Sequence, residues 1–189
     1  PRGKRVAVLT TVGGWGVVTA DAIARDGVLD LVDLSDDLMS KLSALLPPRW
    51  SRNNPIDCAG GETRDTVIEI MDIVAAHDSI DAVIFLGIGI QSNQAKMMRS
   101  GGFYPDHGLE RIVSYHEKQD ERYALTAREV ASKYGKPILI ATELAVADPE
   151  NAGPAAVRES GAYCYPTGAR AASSLAHLYE YAKYRGIAQ

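Results

Sequence analysis

Five short apolar runs alternate with longer amphipathic stretches. Arg5-Val-Ala-Val-Leu9, Leu29-Asp-Leu-Val-Asp33, Asp81-Ala-Val-Ile-Phe-Leu86, Pro137-Ile-Leu-Ile-Ala141 and Ala162-Tyr-Cys164 predict strands one to five. Strands three and four are apolar almost throughout, as in a parallel sheet covered by helices on both faces. Between the strands the period changes to that of a helix. Val67, Ile70, Met71 and Val74 form one stripe. Tyr123, Ala127, Val130, Ala131 and Tyr134 form a second, and Ala171, Leu175, Leu178 and Ala182 a third. Leu38, Leu42, Leu45 and Leu46 line a shorter helix, with Ser35 as its cap, Asp36 and Asp37 in its first turn, and Pro47-Pro48 as its stop.

Strand–helix alternation implies parallel strands joined by right-handed crossovers. The expected fold is α/β: a flavodoxin-like, doubly wound parallel five-stranded sheet of order 2-1-3-4-5 in three α/β/α layers. At 189 residues the chain is expected to form a single domain. Ser100-Gly-Gly-Phe-Tyr-Pro-Asp-His-Gly108 breaks the connection between strands three and four, and reads as a surface excursion that serves as a lid or a contact loop.

Composition narrows the function classes. The chain is 46% apolar and 23% charged, which argues against disorder, and a net charge of -4 with no basic tract argues against a nucleic-acid partner. Its longest apolar stretch, Ala82 to Ile90, falls well short of the ~20 residues that span a bilayer, so no membrane partner is expected. No charged leader followed by an apolar core opens the sequence, so no secretory signal is expected either. Cys58 and Cys164 form neither a disulfide framework nor a zinc site, and read as reduced thiols of a cytoplasmic protein. The chain starts at Pro1, with the strand pattern from Arg5, and is expected to be a piece of something longer.

In an open parallel sheet, ligands bind beyond the carboxyl ends of the strands, near the switch point. Four stretches fall there. In Thr10-Thr-Val-Gly-Gly-Trp-Gly-Val17, glycines bare the backbone amides at a helix start and favour a phosphate-like anion. The alternative is that they only allow a tight turn and close helix–sheet packing. Asn53-Asn-Pro-Ile-Asp-Cys-Ala-Gly-Gly61, with no recognisable strand before it, reads as a rigid turn. There Asn54 closes an Asx turn, Pro55 fixes the chain direction, and Asp57 either faces the first loop or caps the next helix. Cys58 reads as packing, because the local cations, Arg52 and Arg64, are distant. Gly87-Ile-Gly-Ile-Gln91 offers two glycines for close approach and an amide at Gln91, and Glu143 is a lone carboxylate at the end of strand four. His77, His107, His116 and His177 show no metal-ligand spacing and are assigned no catalytic role, nor is there a Gly-x-Ser-x-Gly elbow. Gly13-Gly14-Trp15-Gly16 misses the dinucleotide spacing, although Asp33 is placed for the acid of that motif.

Val6-Ala-Val-Leu-Thr-Thr-Val-Gly-Gly-Trp-Gly-Val17, the Ser35 helix ending at Pro47-Pro48, and Asn54-Pro-Ile-Asp57 together resemble one family. It is the third alpha-part domain, a succinyl-CoA-ligase-like flavodoxin domain, of NDP-forming acyl-CoA synthetases, among them the ADP-forming acetyl-CoA synthetases. The resemblance covers most of the chain apart from about residues 91–125; Trp15 stands where the family often has proline. It implies a ligase that joins acid and CoA at the expense of ATP, giving acyl-CoA, ADP and phosphate. A phosphohistidine on a mobile segment would dock at Gly13, Gly14, Trp15, Gly16 and Val17, with Thr11, Asn54, Pro55, Asp57, Gly87, Gly89 and Gln91 in supporting loops. It implies no cofactor on this chain alone; CoA and ATP/ADP with Mg would belong to CoA-binding and ATP-grasp partner domains or subunits. The same loop equally suits a non-catalytic module for a small phosphorylated ligand or nucleotide, and the excursion would equally suit an interaction domain.

Overall fold

A computed structural model describes residues 1–60 and 65–188; Gly61 and Arg64 of the second loop lie outside them. The elements run β1 (Arg5–Thr10), α1 (Gly13–Asp26), β2 (Asp30–Leu31), α2 (Asp36–Leu45), β3 (Ile56–Asp57), α3 (Thr66–Ala76) and β4 (Ala82–Leu86). They continue with α4 (Ile90–Arg99), α5 (Leu109–Tyr134), β5 (Ile138–Ala141), α6 (Leu144–Ala147), α7 (Ala152–Glu159), β6 (Cys164–Tyr165) and α8 (Gly168–Tyr184).

The sheet is parallel, in the order β2-β1-β4-β5-β6, with β3 pairing β1 off that path. This is the expected 2-1-3-4-5 order with one strand added. The addition corrects the second loop, where no strand was expected: β3 pairs Leu9 with Ile56 and Thr10 with Asp57. Strand two is correspondingly shorter than its apolar run. It pairs only with Arg5 and Val6, because the rest of that edge of β1 is taken. Strand five is displaced to Cys164–Tyr165.

Side-chain alternation divides the core. Ala7, Leu9, Val83 and Phe85 point toward α2, α3 and α5, where the Phe85 and Tyr123 rings meet edge to face at 6.0 Å. Val6, Val8, Ile84 and Leu86 point toward α1 and α8. Helix α2 starts as expected, with Ser35 accepting from the Leu38 amide. Leu178 departs from its stripe: it is 46% exposed, and Ala172, Ala176 and Tyr179 bury the face of α8 in its place. Residues 100–108 form the turn between α4 and α5, so the excursion is the tip of a helical hairpin. No described helix is long and apolar enough to cross a membrane.

Candidate functional site at the carboxyl edge of the sheet

The end of β1 is built from its own hydroxyl. Buried Thr10 donates through Oγ1 to the Val12 carbonyl and accepts from the Val12 amide, turning the chain into α1. Helix α1 has no side-chain cap and no acidic residue in its first turn. The Trp15 and Gly16 amides donate to the Val12 carbonyl. Those of Gly13 and Gly14 find no acceptor among the described residues, which leaves two donors at the positive end of the helix dipole.

The three glycines differ in what surrounds them. Gly14 faces open space, with nothing within 4 Å of where a β-carbon would sit. A β-carbon on Gly13 would lie 2.5 Å from Asp57 Oδ2. Gly16 is buried, and its β-carbon would meet Thr10 Cγ2 at 3.0 Å and Pro55 Cβ at 3.2 Å, so it serves helix–sheet packing. Val17 is 60% exposed. Trp15 packs on the α1/α8 side of the core and lines a cavity of about 100 Å³ between the starts of α1 and α8, with Thr142, Glu143 and Thr167. Glu143 is exposed at the start of α6 and caps nothing.

Asn54 departs from the expected Asx turn. Its side chain accepts from the Val8 amide at 2.9 Å and donates to the carbonyls of Val6 and Val32 at 2.9 and 3.0 Å. An amide side chain thus fills the gap in the ladder between β2 and β3. Pro55 follows through a cis bond and packs against Gly16. Of the two alternatives for Asp57, the structure takes the first: it faces Gly13, while its Oδ1 accepts from the Ala59 amide, and α3 begins at Thr66 after Asp65, with no side-chain cap. Cys58 is buried packing, and burial pushes the Cys164 thiol up to about 11, which leaves it inert.

The β4–α4 loop closes the site from the other side. Gly87 has φ +105, and a β-carbon there would collide with Thr11 Oγ1, so Thr11 seats on the glycine. Gln91 departs from expectation, since its amide oxygen accepts from His116 Nδ1. Behind the loop lies a residue that sequence reasoning missed. Asp120 on α5 is fully buried and accepts from the amides of Gly89 at 2.9 Å and Ser92 at 2.7 Å, capping α4. Its only signal in the sequence is a carboxylate on the apolar stripe of Val113, Tyr123, Ala124 and Ala127. His77 joins two helices, with Nδ1 against Ser79 Oγ and Nε2 against Ser35 Oγ. Among the described residues no group of three or more His, Cys, Asp or Glu side chains could hold a metal ion. A wider groove of about 1110 Å³ runs between α2, α3 and α5, and shares no residue with these loops.

The stretch from β1 to the start of α4, which carries the first three loops of this edge, falls within a family match. Residues 6–90 match the Ligase-CoA domain family. Over 84 residues the chain is 32% identical to the alpha subunit of acetate–CoA ligase [ADP-forming] II from Pyrococcus furiosus, covering 44% of this chain and 18% of that one. Over 79 residues it is 30% identical to acetate–CoA ligase [ADP-forming] I from Archaeoglobus fulgidus, covering 42% and 11%. The chain thus spans less than a fifth of the curated relatives it matches. Solved structures extend the likeness in fold beyond the Ligase-CoA stretch. A Pyrococcus horikoshii protein superposes with a TM-score of 0.69 at 22% identity, over 97% of this chain and 37% of its own. The dinucleotide-forming acetyl-coenzyme A synthetase 1 of Ca. Korarchaeum cryptofilum, in complex with phosphate and ADP, superposes with a TM-score of 0.65 at 24% identity, over 99% and 35%. These findings are consistent with an NDP-forming acyl-CoA synthetase domain, as the paired loops implied.

Proposed function

We propose that this chain is the Ligase-CoA domain of an NDP-forming acyl-CoA synthetase, which joins an acid to CoA while ATP becomes ADP and phosphate. Its own task is to receive a phosphoryl group carried on a histidine of another segment. One observation carries this reading: the stretch matching the Ligase-CoA family holds the uncapped start of α1, where the Gly13 and Gly14 amides are left without an acceptor among the described residues. A phosphohistidine dianion suits such donors, since helix N-termini favour negative charge. Trp15, Gly16 and Val17 form the rest of that first turn: Gly16 sets the depth of α1 on the sheet, and Trp15 walls the side toward α8. CoA and ATP/ADP with Mg are assigned to CoA-binding and ATP-grasp domains or subunits of the same enzyme.

The test is Gly14→Asp in the full synthetase. Gly14 is preferred to Gly16 because it faces open space, so an added side chain leaves the fold intact. Loss of turnover with an unchanged unfolding midpoint is expected; retained turnover overturns the proposal. Titrating the chain with phosphate, CoA and flavin separates this role from that of an independent binding module, for which tight flavin or nucleotide binding without other domains is expected.

A further inference from the structure

Three elements meet at one residue beside the site. The Gly89 amide donates to Asp120 Oδ1 on α5, and the Gly89 carbonyl accepts from Asn151 Nδ2 at the start of α7. The Ser92 amide takes the other oxygen of Asp120. Ser92 Oγ is buried beside the same carboxylate in a geometry short of a full hydrogen bond, and has no other partner among the described residues. His116 lies one turn earlier on α5 and donates to Gln91 of α4. A carboxylate accepts two amides at once, whereas a carboxylic acid turns one oxygen into a donor.

We propose that Asp120 is a proton-sensitive latch that holds the β4–α4 loop, and with it the seat of Thr11 on Gly87, in place for the site. On protonation, the new O–H turns to Ser92 Oγ, which is buried and has no full hydrogen bond among the described residues, and the amide bonded to the protonated oxygen is left with a weaker acceptor. The surroundings favour titration in an accessible range. Burial pushes the Asp120 carboxyl above the ordinary value, against the opposing hydrogen bonds of Ser92 and Gly89 and the charge of His116. Around it, Ser92 of α4 bonds the carboxylate, Gln91 of α4 is held by His116, and Asn151 at the start of α7 holds the Gly89 carbonyl. At the nearby cleft rim Lys96 pairs with Asp148 and Arg99 with Glu117, and toward α3 Arg122 pairs with Asp65. The latch does not depend on the ligase reading, because amide exchange reports on it directly.

The experiment measures amide-exchange protection factors by NMR on the 189-residue chain between neutral pH and pH 4, together with the carboxyl carbon shift of Asp120. Protection at Gly89 or Ser92 is expected to fall about fivefold, the worth of one net hydrogen bond, as Asp120 titrates, while Val8 and Ile84 in the sheet hold theirs. In Asp120→Asn the step disappears. In His116→Gln, which leaves the carboxylate in place, the midpoint moves to higher pH. Flat protection in the native chain, an unchanged step in Asp120→Asn, or an unmoved midpoint in His116→Gln overturns the latch.

Discussion

Asp57 Oδ2 stands 2.5 Å from the point where a β-carbon on Gly13 would be, so the start of α1 is pressed against a carboxylate of the same chain. This contact links the two loops that carry the family resemblance. Gly13→Ala is therefore expected to be about 1–2 kcal/mol less stable than Gly14→Ala, which meets only solvent. In an Asp57→Ala background that difference is expected to vanish. Urea unfolding of the four variants checks it, and a gap that persists without Asp57 contradicts the contact.

The same carboxylate opposes an incoming anion. Two unit charges about 4 Å apart in water repel by ~1 kcal/mol, so Asp57→Asn is expected to tighten phosphate binding about fivefold. Calorimetric titration with inorganic phosphate is the measurement. Unchanged or weaker binding would place the anion elsewhere.

Asn54 is worth more than its turn. Removing its side chain leaves the Val8 amide and the Val6 and Val32 carbonyls without their partner at the gap in the ladder. Asn54→Ala is expected to cost about 2–4 kcal/mol. A loss below 1 kcal/mol in denaturant unfolding would mean that water replaces the amide.

Arg5 and Asp81 tie the start of β1 to the residue before β4, through Nε and a terminal nitrogen at 2.8 Å each. Burial opposes the charge on Asp81, yet the hydrogen bonds and charge of Arg5 prevail and hold its carboxyl below the ordinary 3.8. Because the folded value is the lower one, the pair's stabilisation is complete above the unfolded value and is lost as pH falls through the folded one. Arg5 is half-exposed, so the pair is worth only ~1 kcal/mol. Asp81→Asn is expected to flatten the acid limb of the stability curve below about pH 4 by that amount; an unaltered limb speaks against the pairing.

The layering was legible in the sequence because it rests on local periods. Runs such as Ala82–Leu86 are apolar on both faces, and the Ser35 cap, its two aspartates and the leucines at 38 and 42 need only their own turn of helix to be recognised. The glycine loop was legible for the same reason, since an uncapped helix start is a property of consecutive residues.

Contacts between distant segments were not legible. Strand β3 is two residues long and exists only because β1 offers it an edge, and Asn54 becomes a ladder partner only once β2 and β3 have left a gap. Glycines that look alike in sequence divide by their neighbours: Gly13 meets Asp57, Gly14 meets solvent, and Gly16 meets Thr10 and Pro55. Gln91 is turned to His116, and Asp120 of α5 is buried against α4, because α5 folds back across that helix. Periodicity alone determined which residues face inward. Only the tertiary structure decided which polar groups meet, because a hydrogen bond is fixed by distance and direction between atoms far apart along the chain, and no local pattern encodes those.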